Sequence, residues 1–348
     1  MQKILVTGAA GFVGAWVVES FQLCGIPVRA GIRSWNSAVR LARREIEKVP
    51  CDVLAIDQLR SAMEGCEAVV HCAVGNEKVT VDGTRNVLTA AQEMGLRRIV
   101  HISSIAVYGK ATGLTDEQSP RVGRGNTYAK QKIAAEQVCE EFVARGAPVV
   151  MLRPTIIYGP FSYAWTVSFA NRLWSGQWGT YGSAGEGKCN LVYVTDVVQA
   201  IFRALQPEVS TGDTFNINGN EIITWNEYFT RFNEALGRPP LPELNVWPIA
   251  VKSRMLFPVR EVGRFALARF NNTLMNLHAK SSLAAKYMKV AESSLKLTPT
   301  SDQLRLYGLD VEYPIDRARS RLGYDPQVSV SQGLEFSVAW LRQQGLLF

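Results

Sequence analysis

The chain has 348 residues, 47% hydrophobic and 20% charged, with 38 Lys and Arg against 31 Asp and Glu for a formal charge of +7. This composition excludes disorder and collagen-like repeats and leaves enough chain for one large or two modest domains with a sizeable core. No apolar run approaches the roughly 20 residues of a membrane-spanning helix, and so mild a basic excess does not imply a nucleic acid partner.

In chain order, Met1-Gln2-Lys3 runs straight into Ile4-Leu5-Val6-Thr7-Gly8, which reads as a first core strand rather than a leader, so the expected compartment is cytoplasmic. Apolar runs at 4–6, 28–32, 68–71, 99–102 and 149–152 predict strands of a parallel sheet covered on both faces. Helical patterns at 12–24, 83–94 and 126–145 alternate with them, the signature of a doubly wound sheet with right-handed crossovers. After Gly159-Pro160 the pattern loosens. Trp165, Trp174 and Trp178 fall at about helical spacing, as packing residues or as the lining of an apolar pocket. A strand at 191–194 and a helix at 195–205 then restore the α/β style. The cysteines Cys24, Cys51, Cys66, Cys72, Cys139 and Cys189 are scattered, and the histidines are only His71, His101 and His278. Neither a metal site nor a disulfide framework is expected, and a Ser-His-Asp triad lacks material. His71 and His101 sit in apolar runs and read as core or loop-contact residues.

Thr7-Gly8-Ala9-Ala10-Gly11-Phe12-Val13-Gly14 joins the first strand to the first helix. Gly8 permits a tight turn, Gly11 lets the backbone approach a pyrophosphate, and Gly14 allows close helix–strand packing. The pyrophosphate would rest on the helix N-terminus, beside Ala10, Phe12 and Val13. At the end of the second strand an acid would favour NAD and an arginine NADP. Here Arg33-Ser34 follows Val28-Arg29-Ala30-Gly31-Ile32, with no acid until Glu45, so the expected cofactor is NADP(H) rather than NAD(H).

Tyr128 and Lys132 stand four residues apart on a predicted helix and share a face. A phenol beside an ammonium is expected to be more acidic than usual, and so able to exchange a proton while hydride moves at the adjacent carbon. Ser104, at the end of the fourth apolar run, could hydrogen-bond the reacting oxygen. At this point the chain resembles the extended short-chain dehydrogenase/reductases, the NAD-dependent epimerase/dehydratase family, and in motif most nearly their hydroxysteroid dehydrogenase and ketone reductase branch. Besides the glycine loop and Tyr128/Lys132, the resemblance rests on Asp52-Val53, His71-Cys72-Ala73, Gly83-Thr84-Arg85-Asn86-Val87, Arg153-Pro154 with Tyr158-Gly159-Pro160, Val192-Tyr193-Val194-Thr195-Asp196 and Leu322-Gly323-Tyr324-Asp325-Pro326. It implies Tyr128 as acid/base, Lys132 on the nicotinamide ribose, Ser104 as third member of the triad, and cofactor contacts at Asp52, Val53, Ala73 and Pro154. The implied fold is α/β, a Rossmann-type doubly wound parallel sheet with a smaller C-terminal substrate domain. Residues 1–160, with 191–205 and 212–220, would bind NADP, and 161–190 and 221–348 would mainly bind substrate.

Dehydratase relatives carry an acid just after the catalytic Ser or Thr, and here Ile105 and Ala106 follow, which disfavours dehydration. Sugar-nucleotide members carry Asn where this chain has Ile156 and a phosphate-binding Arg where it has Cys189. The leading expectation is an NADP(H)-dependent interconversion of a ketone and a secondary alcohol, on a small hydrophobic or anionic substrate. The alternatives are an epimerase of a nucleoside-diphosphate sugar with a recycled cofactor and a non-catalytic NADP-binding protein. The loop between Val74 and Val81 is short, which leaves the site more open. The helices at 83–94 and 126–145 would pair in a homodimer, as the resemblance implies.

Within 244–297 there are nine basic residues (Lys252, Arg254, Arg260, Arg264, Arg269, Lys280, Lys286, Lys289, Lys296) against Glu261 and Glu292. The whole charge excess therefore sits in one helical-looking segment. It reads as a solvated face, a lid for an anionic substrate, or a peripheral membrane contact.

Overall fold

The computed structural model describes residues 3–123, 126–258 and 297–347. Two compact units emerge: Met1–Trp165, Asn190–Glu221 and Val311–Gly333 form the first, and Thr166–Cys189, Ile222–Asp310 and Leu334–Phe348 the second. Most of the basic segment 244–297, Arg260 and Arg264 included, lies outside the described residues.

The first unit opens with β1 (Lys3–Thr7), α1 (Phe12–Leu23), β2 (Val28–Ile32), β3 (Glu47–Pro50), α2 (Ile56–Met63) and β4 (Cys66–His71). It continues through α3 (Glu77–Glu93), β5 (Arg98–Ile102), the short β6 (Gly113–Leu114), α4 (Thr127–Val143), β7 (Val149–Pro154) and β8 (Ile156–Tyr158). The chain then gives α5 (Ser168–Trp174) and β9 (Lys188–Cys189) to the second unit. It returns for β10 (Leu191–Tyr193), α6 (Val194–Ala204) and β11 (Thr214–Ile217). After β12 (Ile223–Thr224) and α7 (Trp225–Ala235) in the second unit, β13 (Val311–Glu312) lies back in the first.

Seven strands form one sheet in the order β11-β7-β5-β4-β1-β2-β3, every neighbouring pair parallel. Successive side chains of a strand point to opposite faces, so each strand feeds two cores. Ile4, Val6, Val100, Val150 and Leu152 pack with α1 and α6 through Val17, Phe21, Val197 and Ile201. Leu5, Ile99, Val149 and Met151 pack on the other side with Leu59, Val87, Leu88, Val138 and Phe142 of α2, α3 and α4. This is the doubly wound parallel sheet that the alternating pattern implied.

Element boundaries differ in instructive places. The helix expected from 83 begins at Glu77, because Asn76 caps it: its Oδ1 accepts from the Val79 amide at 3.0 Å. Gly83 lies inside that helix, where a Cβ would come within 2.6 Å of Val53 Cγ2, so this glycine marks a close approach and not a helix start. The strand expected at 191–194 stops at Tyr193, and Val194 already begins α6. In the second unit Phe169, Trp178, Tyr181, Trp225, Phe229 and Tyr307 form a buried aromatic cluster, with Trp225 and Tyr307 ring centroids 4.7 Å apart. Trp178, 1% exposed, packs inside it.

Candidate active site

Because the sheet is parallel, the carboxyl ends of β1, β2, β4, β5 and β7 share one edge, and strand order reverses at β1, with β2 on one side and β4 on the other. There β1 turns into α1 through Gly8, whose φ of 65° is left-handed and suits glycine. A Cβ at Gly8 would stand 2.7 Å from the Ala73 amide nitrogen, and one at Gly14 2.4 Å from the Gly8 carbonyl oxygen. Gly11 is the N-cap of α1 and no side chain caps the helix, so its first amides, from Phe12 onward, have donors to spare. Glycine cradle and uncapped helix together fit a pyrophosphate, with Ala10 and Val13 in the same turn.

Arg33 and Ser34 are exposed directly after β2. The nearby Arg40 is committed elsewhere, its Nε donating to Glu19 at 3.0 Å and its guanidinium 3.9 Å from the Phe161 ring centroid. Asp52 and Val53 follow β3. The Asp52 carboxylate accepts from the Leu54 amide at 3.0 Å, and Val53 is buried against α3, where Asn86 donates to its carbonyl. Ala73 follows β4, and Pro154 ends β7.

Ser104 follows β5 and opens a 3-10 turn over Ile105–Tyr108, its Oγ accepting from the Ala106 amide at 3.2 Å. That leaves the Ser104 O–H as a donor, and it acts on the Tyr128 phenol. Asn126 caps α4, accepting from the Ala129 amide, and so sets Tyr128 in the first turn, 41% exposed. Lys132, one turn on, is 4% exposed and donates to the Ile102 carbonyl at 2.7 Å. The expectation that Lys132 makes the Tyr128 phenol more acidic is not met. Desolvation pushes that phenol up from its usual value, against a smaller opposing effect of a Ser104 hydrogen bond. Lys132 Nζ stands 5.9 Å from the phenol ring centroid with one N–H on the Ile102 carbonyl, and the desolvation of the phenol prevails.

Beneath these residues lies a buried polar network that motif spacing did not single out. Glu136, 0% exposed, takes Arg153 in a bidentate pair, Nε to Oε1 and Nη2 to Oε2, both 2.8 Å. Ser103 Oγ donates to the same carboxylate at 2.6 Å, and Arg121 Nη1 at 3.1 Å. Arg153 Nη1 donates to Tyr108 Oη at 2.8 Å, and that hydroxyl donates to Asn216 at 2.7 Å. Burial pushes the Glu136 carboxyl up, but the Arg153, Ser103 and Arg121 donors outweigh it and hold it below the usual range. The signal was present in the chain, since Tyr128, Lys132 and Glu136 fall at successive i, i+4 positions of one face.

Two histidines complete the surroundings of Lys132. His71 Nδ1 is 2.7 Å from Thr7 Oγ1 and its Nε2 is 3.1 Å from Thr84 Oγ1, while the His71 and His101 rings lie 5.4 Å apart. Burial, with the Lys132 charge, holds His71 down to about 3 and His101 well below its usual value, so both are neutral core residues. Desolvation also lowers Lys132 to about 8, partly opposed by Cys72 and Glu136. Among the described residues no group of three His, Cys, Asp or Glu side chains is placed to hold a metal ion, and all six cysteines are free thiols.

The family model described as NAD dependent epimerase/dehydratase matches residues 4–218, from β1 through β11. The chain belongs to that family. It is 32% identical to cinnamoyl-CoA reductase 1 of Oryza sativa subsp. japonica over 228 residues, covering 57% of this chain and 66% of that one. It is 28% identical to a putative dihydroflavonol 4-reductase of Synechocystis over 315 residues, covering 84% and 90%. UDP-glucuronic acid 4-epimerase from Bacillus cereus, solved with NAD, superposes with a TM-score of 0.70 at 18% identity over 98% of this chain and 97% of that one, a likeness of fold. The family is one of enzymes, and reductases and epimerases both occur among its members.

The burial of Lys132 makes a direct prediction. In the free protein its ammonium should titrate with a midpoint of about 8, and Glu136→Gln, which removes a neighbouring negative charge, should move the midpoint lower. Lysine-selective NMR over a pH series checks this. A midpoint above pH 10, as for a solvated lysine, or an upward shift in the variant contradicts it.

Proposed function

We propose that this protein is an NADP(H)-dependent oxidoreductase that interconverts a ketone and a secondary alcohol, with Tyr128 as proton donor and acceptor. The first unit would bind the dinucleotide, and the second would supply much of the substrate contact. The observation that carries the reading is the grouping of Ser104, half-exposed Tyr128 and buried Lys132 at the carboxyl edge that also carries the glycine cradle.

Bound at that edge, the dinucleotide supplies or takes up the hydride. The residues that would hold it are Gly8, Ala10, Gly11, Phe12, Val13 and Gly14 at the pyrophosphate, Arg33 and Ser34 at the adenosine 2′-phosphate, Asp52 and Val53 at the adenine, and Ala73, Tyr128, Lys132 and Pro154 toward the nicotinamide. Tyr128 would protonate the carbonyl oxygen at its Oη as the carbon is reduced. Its raised pKa keeps the phenol protonated near neutral pH, the form that reduction requires. Ser104 Oγ, which accepts from Ala106, would present its own proton to the same oxygen. Lys132 gives one N–H to Ile102 and has two left to hold the cofactor ribose.

Ile156 pairs with Leu191 inside a strand pair, and Cys189 is a fully buried thiol whose pKa burial raises well above the usual value. Neither side chain can bind a phosphate, which supports a ketone over a sugar nucleotide as substrate. Reductases and epimerases both occur among the relatives, so the choice between them rests on these two side chains.

With a panel of ketones, NADPH should be consumed in step with alcohol formed, and Tyr128→Phe should lose activity by roughly a hundredfold or more. Turnover of a sugar nucleotide with no net change in cofactor would replace this reading with the epimerase one. In binding titrations Arg33→Ala should weaken NADPH by about tenfold or more and leave NADH nearly unchanged. Equal loss for both dinucleotides would remove Arg33 from the 2′-phosphate.

A further inference from the structure

The described part of the basic stretch is a helix over 246–258 in the second unit. One side of it is anchored. Ser253 is 1% exposed, with its hydroxyl 3.4 Å from Ser301 Oγ. At about 100° per residue, positions 246, 249, 250 and 256 fall on the same side as 253 and each is half-buried, while Phe257 on that side, next to the end of the described helix, is 61% exposed. The opposite side is apolar and open. Trp247 is 75% and Met255 71% exposed, with half-buried Val251 between them and Pro248 and Pro258 exposed beside them. Lys252 and Arg254, both exposed, fall at the two margins of this stripe, about 160° apart around the axis.

We propose that this helix face docks the protein on the anionic surface of a lipid bilayer. An apolar stripe that carries an exposed tryptophan and has a cation at each margin is the pattern of a helix lying in the plane of a membrane interface. The aliphatic stems of Lys252 and Arg254 extend the apolar surface while their charges reach lipid phosphates. No acid lies between Glu243 and Glu261, so nothing on the helix opposes an anionic surface. A second copy of the chain is a poor occupant. A two-fold contact would set the same basic face against itself, and the surrounding stretch 244–297 carries all the excess positive charge. A nucleic acid fits less well, because the centre of the face is apolar and carries no cation. Among the described residues no helix is long and apolar enough to cross a membrane, so the contact is peripheral.

The test is co-sedimentation of the full chain with phosphatidylcholine vesicles, with and without phosphatidylglycerol. Binding is expected only with phosphatidylglycerol, falling as salt is added. Lys252→Glu/Arg254→Glu and, separately, Trp247→Ser/Met255→Ser should each weaken it by roughly tenfold or more, with unchanged circular dichroism and NADPH affinity. These side chains are exposed, so folding should survive both pairs of substitutions. Absence of binding, equal binding to the two vesicle types, or full binding by either double variant overturns the proposal. So does a vesicle-free dimer that Trp247→Ser/Met255→Ser dissociates, which would assign the face to a second copy.

Discussion

The ion pair between Glu136 and Arg153 ties together the three elements on which the candidate site stands. Glu136 lies on α4 one turn after Lys132, Arg153 immediately precedes Pro154 at the end of β7, and Ser103, bonded to the same carboxylate, precedes Ser104 at the end of β5. Glu136, Arg153 and Ser103 thus each stand one residue or one helical turn from a residue of the candidate site. Removing two charges from water is costly. What offsets the cost here is the bidentate geometry, with the remaining acceptor capacity of Glu136 taken up by Ser103 and Arg121 and the third guanidinium nitrogen by Tyr108. A hydrophobic pair would pack there too, but it would not fix the angular relation of α4 to the ends of β5 and β7. That is the registry role best attested for such pairs.

The same burial shapes the electrostatics above it. Neutral His71 and His101 and the protonated thiols Cys72 and Cys139 leave Lys132 as a cation in a dry pocket, one N–H anchored to Ile102. Its charge is costly to keep, and Glu136 is the nearby carboxylate that favours keeping it. Tyr128 is less enclosed and stays protonated, so under the proposed function the pair would divide the work, a fixed cation below and a proton source at the open edge.

Strands buried on both faces are continuous apolar runs, and β1, β2, β4, β5 and β7 were legible for that reason. Edge strand β3 was not. Glu47-Lys48-Val49-Pro50 is polar because it meets solvent and pairs Glu47 with Lys3 and Arg29. The glycine loop, Ser104, Tyr128 and Lys132 were legible because their spacing is dictated by turn and helix geometry. Glu136 passed as one more charge on a helix, since only the fold brings it Arg153, and the Tyr108–Asn216 bond spans 108 positions with no local trace. The acidity expected of Tyr128 failed for a related reason. Sequence spacing puts Lys132 on the same face but does not reveal how far the fold desolvates the phenol.

That the Glu136–Arg153 pair acts as one unit is tested most directly by a double-mutant cycle of Arg153→Met, Glu136→Gln and the double variant, followed by urea unfolding and NADPH affinity. Arg153→Met alone should cost about 3–5 kcal/mol, because it strands a buried carboxylate, and adding Glu136→Gln should restore part of that loss. NADPH affinity should fall in all three variants, because each frees α4 from β5 and β7. Additive stability losses, or an affinity that none of the variants changes, would contradict the account.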